Sequence, residues 1–340
     1  MKAIQFLGMT AFMAAMLTGC SNDSDLAHSN FPDDNIIRVT AGVNGAVTRA
    51  ETLGTELNSN FKFSLTVINK APLKEGEHDN KYTYGNMIFE KTGTGTEWSC
   101  RDILLWQDAE TKVDVAALAP AIDNTTFRKS YDFGDEKITP MEYSITADQK
   151  TWKPENDLLY YYKSDLVPRT ALNSDGKLDI QFNHAFSMID IIVTLGTEYS
   201  NKDNPISEVI VGGSKLKATI DVANSEGYGV AYPSESGNNP ETDIITTPGE
   251  FTMATTDHST AKFSCILIPQ TIDANKFKVT LKTSSKTYVW TSSEDITLQT
   301  GHRYTLALTM GKDVVTAQNG NISAGSWKEG TAPDSTLGTK

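Results

Sequence analysis

Cys20 stands at the end of an uncharged segment near the start of the chain. Lys2 gives a positive start, and residues 3–18 are uncharged and mostly apolar. A run of this length is short for a membrane span, which needs about 20 residues, and suits the apolar region of a secretory signal peptide. The small residues Thr18 and Gly19 precede the cysteine. A thiol at this position can form a thioether with diacylglycerol, and small neighbours leave the preceding peptide bond open to a peptidase.

The four residues Leu17, Thr18, Gly19 and Cys20 resemble the bacterial lipobox, Leu-small-Gly-Cys. The resemblance implies that residues 1–19 form a lipoprotein signal peptide, and that Cys20 becomes the first mature residue and carries a lipid. The alternative is an ordinary signal peptide followed by an incidental cysteine. The acidic run after the cysteine resembles a cell-surface export tag of some Gram-negative anaerobes; a solvated linker explains it equally well.

No arrangement of residues predicts catalysis. The five histidines are scattered, and the sequence has no Gly-x-Ser-x-Gly elbow, His-Glu-x-x-His pair, phosphate-binding loop or Gly-x-Gly-x-x-Gly turn. Carboxylates are plentiful, so a glycosidase-type pair stays open, but nothing singles out two of them. His184 lies among apolar residues in FNHAFS, which is more typical of a core histidine than of a catalytic one. We predict no enzyme activity and no cofactor.

The sequence also predicts no metal site. Residues 173–179, NSDGKLD, offer oxygen ligands, but the segment is too short for an EF-hand and lacks its closing Glu. An Asp-Gly turn explains it better. Beyond Cys20 the chain has only Cys100 and Cys265, with no CxxC motif. An exported chain could pair them, but their separation and strand-like surroundings favour two separate thiols.

The composition is that of a folded globular protein. The chain has 340 residues, of which 39% are hydrophobic and 21% charged, and this length is enough for two domains of ordinary size. The formal net charge is −13. This acidic balance disfavours nucleic acid and anionic lipid headgroups as partners.

Short strand-like segments bounded by turn residues follow one another from Ile36 onward. In FKFSLTVIN, for example, Phe63 and Leu65 alternate with Ser64 and Thr66, which predicts a strand with one apolar and one polar face. The spacing of apolar residues predicts no amphipathic helix of more than about three turns. We therefore predict an all-β fold built as two tandem β-sandwich domains.

The division of the chain follows from changes in composition. A polar stretch at 20–35 predicts a tether, and residues 36–168 predict an N-terminal sandwich that ends near a proline. Residues 169–327 predict a C-terminal sandwich, and residues 328–340 a tail.

Several motifs of the C-terminal half, in one order, resemble those of the fimbrillin-like (Mfa-like) proteins, the subunits and anchors of type V pili. The matching segments are IQFNHAFSMIDIIVTLG, CILIPQTI, YVWTSSEDITLQTGHRYTLALTM and ISAGSWKEG. The lipobox and AVTRAE extend the resemblance to the N-terminal part. The resemblance implies two β-sandwiches of transthyretin-like topology, exported as a lipoprotein to the outer membrane, the cell surface or fimbriae.

The resemblance also implies a mode of assembly. In stalk subunits of the family a protease cuts after an arginine that follows the first strand, and a strand from another subunit fills the vacated groove. Here Arg49 follows a strand-like run, so the cut would leave Ala50 as the new N-terminus. The donor would be a C-terminal segment around residues 322–327. The alternative is that Arg49 is an ordinary surface arginine in an anchor or stand-alone lipoprotein.

Implied partners are other fimbrial subunits, the outer membrane through the lipid on Cys20, and a host receptor or a glycan. A second hypothesis is a stand-alone glycan-binding surface lipoprotein for nutrient capture, because aromatic rings can stack on sugars. The candidate rings are those of Trp98, Trp106, Trp152, Trp290 and the run Tyr160-Tyr161-Tyr162. Aromatic residues in sandwiches, however, mainly fill the core.

Overall fold

The structure, a computed structural model, confirms the prediction of an all-β chain. It describes residues 30–44, 61–73, 75, 80–91, 97–121, 131–132, 137–200, 202–254, 258–318 and 322–327. Within these ranges the only helical segments are a single 3₁₀ turn, Pro154–Asn156, and the short helix α1, Pro168–Ala171.

The first ten strands lie between residues 39 and 184. They are β1 (Val39–Val43), β2 (Lys62–Asn69), β3 (Tyr84–Lys91), β4 (Trp98–Cys100), β5 (Val113–Ala119), β6 (Tyr131–Asp132), β7 (Lys137–Ile138), β8 (Met141–Ser144), β9 (Leu159–Leu166) and β10 (Leu178–His184).

Fourteen strands follow. They are β11 (Ser187–Leu195), β12 (Ile206–Ser214), β13 (Lys217–Ile220), β14 (Ala231–Pro233), β15 (Thr242–Ile245), β16 (Thr247–Thr252), β17 (Thr260–Leu267), β18 (Thr271–Ile272), β19 (Lys278–Thr283), β20 (Thr287–Thr291), β21 (Ile296–Thr297), β22 (His302–Met310), β23 (Val315–Ala317) and β24 (Ser323–Ser326).

The strands form several sheets. The largest has seven strands in the order β1-β10-β9-β5-β2-β3-β4, and the second runs β16-β17-β11-β22-β23, with β24 also paired to β22. A four-stranded sheet has the order β15-β12-β19-β20, and a three-stranded sheet the order β14-β13-β8. Two separate hydrophobic clusters lie against these sheets, one built around β1, β2, β5 and β10 and the other around β11, β12, β17, β19 and β22.

Strand β2 differs from its sequence pattern in one respect. Phe63 and Leu65 are fully buried, as the alternation predicts, but Ser64 and Thr66 are buried as well. The second face of the sheet is covered, because the neighbouring strand β5 contributes Leu118 on that side to the other hydrophobic cluster. The hydroxyls remain satisfied there; the Thr66 Oγ1, for instance, accepts a hydrogen bond of 3.0 Å from the backbone of β3.

The sheets interleave around residue 168. Strand β10, which follows this position, pairs with β9 and β1 and so completes the first sheet. Strand β8, which precedes it, pairs with β13 far along the chain. The division into domains at residues 36–168 and 169–327 stays a prediction. If the chain has two domains, the observed pairing places β10 with the strands before residue 168 and β8 with a strand after it.

Candidate functional site

Of the predicted site residues, Cys20, Arg49 and Ala50 lie outside the described residues. The strand between Cys20 and Arg49 is described. Strand β1 lies at the edge of the seven-stranded sheet and pairs only with β10, in parallel, among the described strands.

The apolar side of β1 fills the N-terminal core. Val39 lies opposite Leu178 and Val43 opposite Phe182, and all four side chains are buried. On the other side of the strand the Thr40 hydroxyl donates a hydrogen bond of 2.9 Å to a carboxylate oxygen of β10. Removing β1 would therefore uncover apolar pockets beside an unpaired strand edge.

The chain on either side of β1 is tied down by hydrogen bonds. Before the strand, the backbone N–H of Ile37 donates to the carbonyl of Leu104 at 2.8 Å. After it, the backbone N–H of Asn44 donates to the Phe182 carbonyl at 2.7 Å, and the Asn44 amide reaches the Asn183 side chain at 3.2 Å. These bonds fix the register of β1 on β10.

An ion pair stands at the entry to β1. The Arg38 guanidinium contacts Asp34 through two nitrogens, at 2.9 and 2.6 Å. The hydrogen bonds from Arg38, followed by the bond from the Ile36 backbone, lower the pKa of the Asp34 carboxyl to about 2. Because both side chains are more than a third exposed, solvent screens the pair, which adds little to the stability of the fold.

The opposite end of the chain is also built into a core. Strand β24 pairs with β22, and the adjacent Trp327 is buried with its ring stacked on His184 at 3.7 Å between centroids. His184 Nδ1 lies 2.7 Å from a carboxylate oxygen of Asp157, and both side chains are buried. The sequence identified His184 as a core histidine; no local pattern pointed to Asp157 or Trp327 as its neighbours.

The chain matches the fimbrillin-like family over residues 48–327. The chain belongs to the fimbrillin-like family. The resemblance seen in the motifs is thereby confirmed, and with it the fimbrillin type of all-β fold. Membership implies a cell-surface or fimbrial location and association with other fimbrial subunits.

Two solved structures of cell adhesion proteins share the fold of this fimbrillin-like chain, and a third solved structure is also similar to it. A candidate cell adhesion protein from Bacteroides ovatus is 16% identical, with 84% of this chain and 96% of that chain covered and a TM-score of 0.56. Another from Bacteroides uniformis is 15% identical, covering 87% and 100%, with a TM-score of 0.55. The fimbrial anchor protein Mfa2 from Porphyromonas gingivalis is 12% identical, covering 86% and 97%, with a TM-score of 0.37. No curated protein matches the chain.

Within the described part of the fimbrillin-like chain, no group of three or more His, Cys, Asp or Glu side chains is placed to hold a metal ion. The segment NSDGKLD forms the expected turn, in which Asn173 Oδ1 accepts backbone hydrogen bonds of 3.0 Å from Asp175 and Lys177. Gly176 has a φ of 70°, and a β-carbon there would lie 2.8 Å from the Asn30 carbonyl, which explains the glycine.

The remaining histidines do not assemble with a nucleophile or a carboxylate in the described structure. His302 Nδ1 is 2.9 Å from the Thr300 carbonyl, and His258 is exposed in a loop. His28 and His78 lie outside the described residues. Among the residues that the structure describes, no helix is long and apolar enough to cross a membrane.

The aromatic residues of the fimbrillin-like chain serve its cores rather than an open platform. Trp98, Trp106 and Tyr161 are buried in the N-terminal cluster. Trp152, Trp290, Tyr160 and Tyr162 pack partly buried against the second cluster. This use of the rings does not favour the glycan-binding hypothesis, which needs at least one exposed ring face.

The two downstream cysteines are not joined to each other. Cys100 is half-buried on β4, and Cys265 is buried on β17, in a different sheet. Burial raises the pKa of the Cys100 thiol. A thiol with a raised pKa is a poor nucleophile at neutral pH. The separate positions of Cys100 and Cys265 agree with the expectation of two separate thiols.

Proposed function

We propose that this chain is a structural and adhesive surface protein, a fimbrillin-like pilus subunit or pilus anchor, that assembles by β-strand exchange and performs no catalysis. In this proposal residues 1–19 are removed as a signal peptide, and a lipid on Cys20 holds the chain to the outer membrane. The observation that carries the proposal is β1, an edge strand whose side chains fill a core and which ends shortly before Arg49.

A cut after Arg49 would turn β1 into a separate peptide held only by non-covalent contacts. Its buried residues, Val39 and Val43 among them, each contribute about 1.5–3 kcal/mol of apolar burial. Loss of the strand exposes the apolar surface along β10 to solvent. A replacement strand from another subunit would bury this surface again. The family match begins at residue 48, beside Arg49, and leaves β1 outside it, which agrees with a removable first strand.

The register of β1 limits which segment can replace it. The incoming strand runs parallel to β10 and places an apolar side chain opposite each of Leu178, Ile180 and Phe182. The C-terminal segment 322–327, the expected donor, is docked on β22 and ends in the buried Trp327. It would have to leave its own fold to act in trans, so a subunit that keeps both ends docked would serve as an anchor.

Intact mass and N-terminal sequence of the protein from its native envelope test the proposal. A subunit that polymerises begins at Ala50 without lipid, and an anchor begins at acylated Cys20. Replacing Arg49 by Gln should abolish the Ala50 species, whereas the same change at the exposed Arg101 should leave it unaltered. A mature chain that starts elsewhere without acylation would contradict the lipid anchor.

A further inference from the structure

Strand β20 is a sheet edge that the proposed function does not use. It ends the four-stranded sheet and, among the described strands, is paired only with β19. Tyr288 and Trp290 point inward, and Thr287, Val289 and Thr291 are exposed on the outer face. The Val289 side chain is 55% exposed, one of the most exposed large apolar residues described.

The backbone groups of the exposed residues point toward the open edge. The backbone N–H of Thr283 donates to the Lys286 carbonyl, and that of Ser292 donates to the Phe277 carbonyl. Hydrogen-bonded pairs alternate along antiparallel strands, so Tyr288 also bonds toward β19. The N–H and C=O groups of Thr287, Val289 and Thr291 therefore face away from β19.

The residues of β20 itself are not of the usual protecting types, although β23 packs near the strand. Natural sheets cover or blunt an edge strand with lysine, proline or a bulge, because unpaired backbone groups recruit other strands. The sequence of β20, TYVWT, contains no charge, no proline and no glycine, and its pairing with β19 runs without a register shift.

The same strand is self-complementary about its central residue. In an antiparallel pair of two copies centred on Val289, Thr287 of one copy lies opposite Thr291 of the other, and Val289 lies opposite itself. The residues that face each other are the ones whose backbone groups point outward. Each facing pair exchanges two hydrogen bonds, which gives about six across the edge.

The outer face beside the edge carries a row of β-branched side chains. On the outer face, Val289 is in register with Thr280, which is in register with Ile210. Pairing joins these β-branched rows from the two copies into one continuous row.

We propose that β20 is a homophilic edge through which two copies of this chain associate about a two-fold axis that passes beside Val289. The inference goes beyond the proposed function, because it involves neither β1 nor cleavage nor an exchanged strand. A single pair of five-residue strands makes a small interface, so the dimer is weak and depends on concentration.

Sedimentation velocity of the full chain over a range of concentrations tests the proposal. Wild type should form dimers as concentration rises, and V289K and V289E should each dimerise at least about tenfold more weakly, because position 289 then faces a like charge. An equimolar mixture of V289K and V289E should recover the dimer. I103K, which alters an isoleucine that is 74% exposed and follows β4 in another sheet, is the control and should behave as wild type.

A second pair of variants checks the register on exposed threonines, where folding is not at risk. Because Thr287 faces Thr291 of the second copy, T287K/T291E should keep the dimer and T287K/T291K should lose it. Far-ultraviolet circular dichroism establishes that every variant is folded. A wild type that stays monomeric at all concentrations overturns the proposal, as does a folded V289K that dimerises like wild type or a V289K–V289E mixture that stays monomeric.

Discussion

The indole of Trp327 lies parallel to the imidazole of His184, with 5° between the ring planes and 3.7 Å between their centroids. This contact joins the end of β24 to the end of β10, and through His184 to the buried carboxylate of Asp157. The backbone N–H of Trp327 donates to the Gly301 carbonyl at 3.0 Å, which fixes the ring in place. The last described residue of the chain is thus part of the core.

Replacing Trp327 by Ala should therefore destabilise the protein strongly. The ring is 3% exposed, and its removal leaves a cavity beside His184, so we expect a loss of about 3–5 kcal/mol in the free energy of unfolding. Urea unfolding followed by circular dichroism measures the change. The same substitution at Trp290, which is only partly buried, should cost less. If the two variants lose the same free energy of unfolding, the stacking of Trp327 on His184 adds no stability beyond that of a partly buried tryptophan.

Because of Asp190, the free energy of unfolding should depend on pH in the acid range. Burial opposes its charge, but Arg303, at 2.6 and 2.7 Å, together with Ser264 and Lys262, holds the pKa of this carboxyl below its ordinary value. Its stabilisation is present above its ordinary pKa of 3.8 and is lost as the pH falls further, through the lowered pKa of the folded state.

Replacing Asp190 by Asn should lower the free energy of unfolding at pH 7 by about 2–3 kcal/mol, less than for a fully buried pair because Arg303 and Lys262 keep part of their hydration. The gap between wild type and variant should narrow as the pH falls below about 4. Urea titrations at several pH values measure it, with the exposed Asp203→Asn as control. A gap that stays constant down to pH 3 would contradict the assignment.

Gly213 occupies a backbone conformation that other residues avoid. Its φ is 94°, and a β-carbon would lie 2.6 Å from the carbonyl oxygen of Lys276. Gly213→Ala should therefore cost about 2 kcal/mol or more in unfolding free energy. Gly237 has a φ of 67° but open space around it, so Gly237→Ala should cost only the conformational part, about 1 kcal/mol. Thermal unfolding of the two variants separates the clash from the dihedral strain.

The groove left by β1 should accept a peptide. A chain that begins at Ala50 should bind a synthetic peptide of residues 34–46, because the peptide restores the burial of Val39 and Val43 along β10. In isothermal titration a Val39→Asp peptide should bind at least about tenfold more weakly, since a charge then faces an apolar pocket. A Thr40→Ser peptide, which keeps the hydroxyl that bonds to β10 on the other side of the strand, is the control. Equal binding of all three peptides would argue against the groove.

Local patterns predicted a good part of this fold. The β-branched run Ser187–Leu195 forms one of the strands predicted from Ile36 onward, and a central strand buried on both faces suits such a run. The Asp175-Gly176 turn and the core position of His184 also follow from neighbouring residues alone, since turn chemistry and apolar surroundings are local properties.

Pairings between distant residues could not be predicted in the same way. The parallel pairing of β1 with β10 joins Val39 to Leu178, and nothing in either segment specifies the other. The meeting of Asp157, His184 and Trp327 depends on three separate strands or turns reaching one place. Cys20, Arg49 and Ala50 lie outside the described residues and stay predictions from sequence.

The parallel alignment of β1 and β10 also has a mechanical consequence. A pull on the chain N-terminal to Asn30, along the axis of β1, loads all the rungs between Val39 and Val43 in shear, so they resist together instead of opening one after another. Before it reaches the strand, the tension meets the Trp106–Asn35 and Ile37–Leu104 hydrogen bonds. An attachment through this end would thus hold under flow for as long as the strand keeps its register.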